Sequence, residues 1–273
     1  MKTKVIIGVA PTRRDAFLKE SAHQVRDALN AALVGYDAEF ISISGVNEED
    51  LLLDDASAQA VIERFRSARV DGVFFPHVNF GTEFAVAQVA QALQVPVLLW
   101  GPQDDTPSSD GMRSRDTQCG LFATGKVLRR MNVPFDYIPN CRIEDPRFRF
   151  GLDAFIGVCR VIKAMRDLRI LQIGPRPQPF WSVMCNEGEL LERFHIQLST
   201  VTLGELVALA KQIEAARPKE LTDTLSGAVC DYSPCGGEEV KVRIAALKCA
   251  MQTLCQQRGC RAVAIQCWDE LQA

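Results

Sequence analysis

Short apolar runs alternate with helical patterns along the whole chain, and that alternation restricts the fold more than any other feature. Residues 5–10 (VIIGVA), 72–76 (GVFFP) and 96–100 (PVLLW) are near-continuous apolar runs, as expected of strands buried on both faces. Further strands are expected at 39–43, 135–138, 170–173, 196–201 and 262–266. Between them, apolar residues fall at helical spacing over 16–33, 56–68, 83–93, 117–131, 148–167, 186–194, 203–216 and 238–258. Thr82 and Asp116 stand where side-chain caps would start two of those helices, and 231–237 reads as a Pro/Gly/Cys loop. Parallel strands need such helical crossovers. The pattern therefore predicts an α/β protein of two doubly wound, Rossmann-like or flavodoxin-like parallel-sheet domains.

A length of 273 residues suits two domains at roughly 150 residues each, and the turn at 167–169 is the expected boundary, giving 1–167 and 168–273. The second domain reads as incomplete at its C-terminus. Only seven residues follow its last strand, too few for a covering helix, so the chain is expected to be cut there or completed by another chain. A hydrophobic fraction of 47% and a charged fraction of 24% are those of a soluble globular protein. The net charge of −3 gives no reason to expect nucleic acid or an anionic membrane as partner. No apolar run approaches the ~18 residues of a membrane span, and 5–10 is too short for a signal core. Ten cysteines scattered through apolar segments point to reduced thiols in a cytoplasmic protein. Cys249, Cys255, Cys260 and Cys267 lie five to seven residues apart, without the close pairs of a zinc site, and read as buried small hydrophobes.

In a doubly wound sheet, ligand groups collect beyond the carboxyl ends of the strands. Five turns put polar or aromatic residues there: 11–15 (PTRRD), 77–83 (HVNFGTE), 101–105 (GPQDD), the proline-rich 173–192, and Gln266 with Trp268. Each has a plainer reading. Arg13 and Arg14 suit solvated charges near a helix start, and Glu83 suits a first helical turn through the macrodipole. His77 reads as a loop histidine, Phe180 and Trp181 as closing a core, and Asp104 and Asp105 as turn residues. Nucleotide binding fails on particulars. The turn after the first strand lacks the glycines that admit a pyrophosphate, and prolines at 175, 177 and 179 remove three amide donors.

Five stretches carry a family resemblance: PTRRDAF (11–17), DGVFFPHVNFGTEFAVAQVA (71–90), RDTQCGLFAT (115–124), IGPRPQPFWSVMCNEGELLERF (173–194) and AIQCW (264–268). Together they resemble the amino-terminal and second domains of the L-fucose/L-arabinose isomerase-like family. The resemblance implies aldose–ketose isomerisation through an enediolate, with manganese or another divalent metal holding two sugar oxygens. It also implies a homo-oligomer whose site is shared between subunits. The residues it marks for sugar contact are Arg13, Arg14, Asn79, Glu83, Arg176, Trp181, Asn186, Glu187 and Gln266. The family's metal ligands belong to later motifs, so no metal ligand and no catalytic base is assigned here, and the chain alone is expected to be inactive. The alternative is a non-catalytic carbohydrate-binding or assembly module built on the same sheets.

Overall fold

The computed structural model describes residues 4–107, 109, 111–216, 221–225, 232–267 and 271. The chain divides into two compact units, Met1–Lys163 and Ala164–Ala273. In the first, strands β1 (Ile6–Val9), β2 (Glu39–Ser42), β3 (Gly72–Pro76), β4 (Val97–Trp100) and β5 (Asp136–Tyr137) pair in parallel in the order β2-β1-β3-β4-β5. The connecting helices are α1 (Lys19–Ala32), α2 (Asp55–Ala68), α3 (Glu83–Leu93), α4 (Thr117–Arg130) and α5 (Pro146–Met165). Strand order reverses between β1 and β3, where a doubly wound sheet places its ligand crevice, and here the two outgoing loops stay joined through a Thr12–His77 bridge.

Period-two alternation builds both helical layers. Val73, Phe75, Val97 and Leu99 face the layer that contains Phe65 of α2, Val86 of α3 and Leu128 of α4. Phe74, Leu98 and Trp100 face the other, with Leu29 of α1 and Phe148, Leu152 and Phe155 of α5. Each such large side chain taken out of water contributes roughly 1.5–3 kcal/mol, which explains why these strands read as continuous apolar runs.

Three local expectations are corrected. Helix α1 begins at Lys19, three residues later than the spacing suggests, because Phe17 N–H donates to Arg14 O (3.3 Å) and holds that stretch in a turn. Thr82 makes no side-chain cap to α3; its hydroxyl donates instead to Arg13 O (2.7 Å). Asp116 does not cap α4 either. Asp104, read as a turn residue, reaches across to accept from Thr117 N–H (2.7 Å) and from Gln118 N–H (3.3 Å).

The second unit pairs β6 (Arg169–Ile173), β7 (Gln197–Val201) and β8 (Ala262–Ile265) in parallel, in the order β7-β6-β8. Leu171, Ile173 and Val201 pack on Leu206 and Ala210 of α7 (Leu203–Ala216) and on Ala245, Ala246, Ala250 and Leu254 of α8 (Gly237–Arg258). The short helix α6 (Glu187–Phe194) buries no residue and leaves Leu191 and Phe194 half exposed. Of the 231–237 loop, Asp231 lies outside the described residues, and so does Trp268. No described helix is long and apolar enough to cross a membrane, and Cys119, Cys141, Cys159, Cys185, Cys249, Cys255, Cys260 and Cys267 are free thiols.

Candidate functional site

At the β1/β3 crevice the two loops are sewn together by buried polar groups. Thr12, fully buried, donates its hydroxyl to Leu52 O (2.8 Å) and accepts from Thr82 N–H (2.9 Å). Asn79, also fully buried, accepts from the Arg14 N–H (2.9 Å) and the Phe80 N–H (2.5 Å) and donates to Arg14 O (3.2 Å). Its amide is occupied by backbone on both sides, so Asn79 positions its neighbours. What it positions is an aromatic and charged cluster. The Arg14 guanidinium lies 4.4 Å from the Phe80 ring centroid, and Phe80 stacks on Phe17 at 5.5 Å. Glu83, at the start of α3, stands 3.8 Å from the same guanidinium, both side chains about one-third exposed. Helix α4 presses on this loop so closely that a Cβ at Gly120 would lie 1.8 Å from Phe80 O.

Arg13 points the other way. Its guanidinium is buried in a two-pronged pair with Glu49 (2.7 Å on each arm) and also reaches Asp15. Glu49 further holds Lys19 and His23, each at 3.1 Å. Hydrogen bonding from Arg13, above all, lowers the Glu49 carboxyl to about 2. The same carboxylate raises Arg13 further above its ordinary value. His77, read as a loop histidine, is fully buried, and burial lowers it to about 4, so its ring is neutral. Because Phe75 O can only accept, Nδ1 carries the hydrogen (3.1 Å), and Nε2 accepts from the Thr124 hydroxyl (2.8 Å).

In the second unit, Arg176, Glu187 and Gln266 line one cavity of about 740 Å³ with Phe180 and Met184. Arg176 is occupied locally, its Nη1 donating to Pro177 O (2.9 Å), Gln178 O (2.8 Å) and Phe180 O (3.3 Å). Gln266 Oε1 is buried without a donor, lying against Gly174, whose φ of +74° and closeness to that oxygen leave no room for a side chain. Asn186 caps α6 by accepting from Glu189 N–H (3.2 Å). Trp181 does not close a core; it is 76% exposed. The structure thus gathers Arg14, Asn79 and Glu83 in one place, and Arg176, Glu187 and Gln266 in another. Arg13, Trp181 and Asn186 stand aside from both clusters. Sequence reading missed Phe17, Phe80 and Glu49. For the first two, an aromatic on each of two loops bound for the same sheet edge was the available signal.

Manganese takes hard ligands, carboxylates above all, that converge on one point. Among the described residues no three His, Cys, Asp or Glu side chains do so. The His23–Glu49 pair is already surrounded by Arg13 and Lys19, which would repel a cation. Both nitrogens of His77 are engaged. The described residues do not fit a manganese centre.

Comparison with known proteins matches residues 8–166 to the family described as "Fucose/sulfoquinovose isomerase, N-terminal domain". The chain is similar to the sulfoquinovose isomerase of Priestia aryabhattai, 24% identical over 157 residues that cover 58% of this chain and 34% of that protein. The sulfoquinovose isomerase of Alkalicoccus urumqiensis is 22% identical over 204 residues, 75% of this chain and 45% of that protein. The chain thus spans less than half the length of these curated relatives.

Proposed function

The chain belongs to the fucose/sulfoquinovose isomerase family, and on that premise we propose that it holds the sugar for an aldose–ketose isomerisation. That reaction shifts a hydrogen between C1 and C2 through an enediol(ate), with a base moving the proton. In this proposal the chain's own residues bind and orient. Arg14 donates to one sugar hydroxyl and Glu83 accepts from its neighbour, while the Phe17/Phe80 stack supports the Arg14 guanidinium from below. Asn79 fixes the backbone beneath Arg14. The observation that carries the reading is the Arg14–Glu83 pair above the Phe17/Phe80 stack, at the strand-order reversal and inside the matched region. Gln266 and Glu187 are proposed as sugar contacts of the second unit.

The sugar is proposed to be uncharged, of the fucose or arabinose type. Sulfoquinovose, in the name of the two relatives, carries a sulfonate, whereas both arginines of this edge already face carboxylates. We propose that a divalent metal is held by residues other than those described, and that the enzyme is a cytoplasmic homo-oligomer with a shared site. Alone, the 273-residue chain should bind sugar without turning it over. Calorimetry with L-fucose, L-arabinose, D-arabinose and sulfoquinovose tests this. A neutral sugar should bind more tightly than sulfoquinovose, and Arg14→Ala should weaken it about tenfold, since a hydrogen bond from a charged donor contributes ~1.5–3 kcal/mol. Heat from none of the four, or no effect of Arg14→Ala, would sink the proposal. Ketose formation by a longer protein with manganese would distinguish the enzyme from a non-catalytic binding module.

A further inference from the structure

A groove of about 890 Å³ runs along the outer side of α4, between that helix and the edge strand β5. It shares no residue with the Arg14–Glu83 cluster. Its floor is apolar: Leu99 of β4, Leu121 of α4 and Phe135. Two aromatics rise from opposite walls, Phe122 from the helix (69% exposed) and Tyr137 from the strand (57% exposed). Register explains the second of these. Tyr137 pairs with Leu99 and shares its face, which sends Asp136, the partner of Leu98, to the other side of the sheet.

The remaining wall is cationic. Phe122, Lys126, Arg129 and Arg130 recur at the spacing that brings helical residues to one side, and all four line the groove. None of the three cations has a carboxylate partner among the described residues, unlike Arg13, Arg14 and Arg115, which do. The helix dipole favours Arg129 and Arg130 in the last turn, but it says nothing for Lys126 a turn earlier or for two bared aromatics beside them. An added β-strand is a poor occupant. Strand β5 has two residues, with Pro134 before it and Pro139 soon after, and proline blunts a sheet edge. The volume lies in the range of small-molecule sites, which combine an apolar lining with a few placed polar groups.

We propose that this groove binds a small aryl anion, its flat apolar body between Phe122 and Tyr137 and its acidic head against Arg129 and Arg130. The probe is 8-anilinonaphthalene-1-sulfonate, followed by fluorescence and calorimetry on the whole chain. Its uncharged counterpart, N-phenyl-1-naphthylamine, and sodium sulfate serve as the body alone and the charge alone. One equivalent of the sulfonate should bind. Arg129→Glu with Arg130→Glu should weaken it roughly tenfold, because both charges are exposed and each contributes modestly. Phe122→Ser, at an exposed position that does not threaten folding, should weaken both aryl probes. The proposal fails if charge reversal leaves the sulfonate's affinity unchanged, or if the uncharged probe binds as tightly. It fails equally if no probe binds. Sedimentation showing a dimer that Phe122→Ser dissociates would overturn it too, since protein would then cover the groove.

Discussion

The two places where candidate sugar contacts gather are built in opposite ways. In the first unit, buried side chains of one loop are satisfied by another: Asn79 holds Arg14, Thr12 holds Thr82, and Glu49 holds Arg13. In the second, the proline-rich loop is satisfied by itself, with Arg176 donating to three carbonyls within four residues of its own position. A crosslinked edge cannot move one member without leaving another buried and unpaired, so its geometry is fixed by the fold of the whole sheet. A self-stapled loop can move as a piece. That difference predicts where substitutions should hurt most.

The largest effect belongs to Gly120. A methyl group there would lie 1.8 Å from Phe80 O, and neither partner is the end of a flexible side chain. Gly120→Ala must therefore push α4 off the β3 loop, which also moves Phe80 from under Arg14. We expect a loss of about 3 kcal/mol or more from the first unit, read as a fall in its denaturant midpoint, along with loss of sugar binding. A variant of wild-type stability would break the claim that this edge is rigid.

Glu49 comes next, through both substitution and acid. Its carboxyl sits at about 2 when folded against an ordinary 4.5. A lowered carboxyl stabilises the fold above the unfolded value, and that contribution, on the order of 3 kcal/mol, drains away as pH falls from about 4.5 toward about 2. His77 adds a higher window. Its ring titrates at about 4 folded against 6.5 ordinarily, so the unfolded chain takes up its proton first and stability declines from about 6.5 downward. Glu49→Gln should cost about 3 kcal/mol at neutral pH by leaving the Arg13 guanidinium buried without its counter-charge, and should shrink the lower window, which the lowered carboxyls of Asp54, Asp105 and Asp145 share, while leaving the higher one. Stability measured against pH in both proteins checks the sign. A lower window of unchanged size in Glu49→Gln would assign it to those other carboxylates.

The strands and their direction were legible because β3 and β4 bury both faces, and runs such as GVFFP and PVLLW alternating with helical patterns fit a parallel sheet under two helical layers. The switch point followed from strand order, which sequence could suggest only as a family of doubly wound sheets. Pairings across the crevice were not legible. Asp104 is twelve residues before Asp116 and looks like a turn residue, yet the chain path brings it to the start of α4, while Asp116 pairs with Arg113. Arg13 and Arg14 are adjacent and chemically identical, but opposite side-chain directions bury one on Glu49 and lay the other on Phe80. Trp181 misled for the converse reason. Its residue type favours a core, and only the isolated loop that carries it leaves it in water.

The smallest effect is expected at Arg176, and it sharpens the comparison most. Prolines at 175, 177 and 179 cannot donate; Pro177 O and Phe180 O each accept one amide, from Phe180 N–H (3.0 Å) and Val183 N–H (3.4 Å), and the Arg176 guanidinium supplements both and reaches Gln178 O. These bonds are local and at most partly buried. Arg176→Ala should therefore change the global unfolding of the second unit by less than about 1 kcal/mol. Opening of the loop should become easier all the same, because a sub-global opening carries only its own local free energy. Hydrogen exchange over 176–186 should rise about tenfold, while the strands β6 and β7 keep their protection. If the sheet loosens together with the loop, the proline-rich segment is crosslinked after all, and the contrast between the two edges falls.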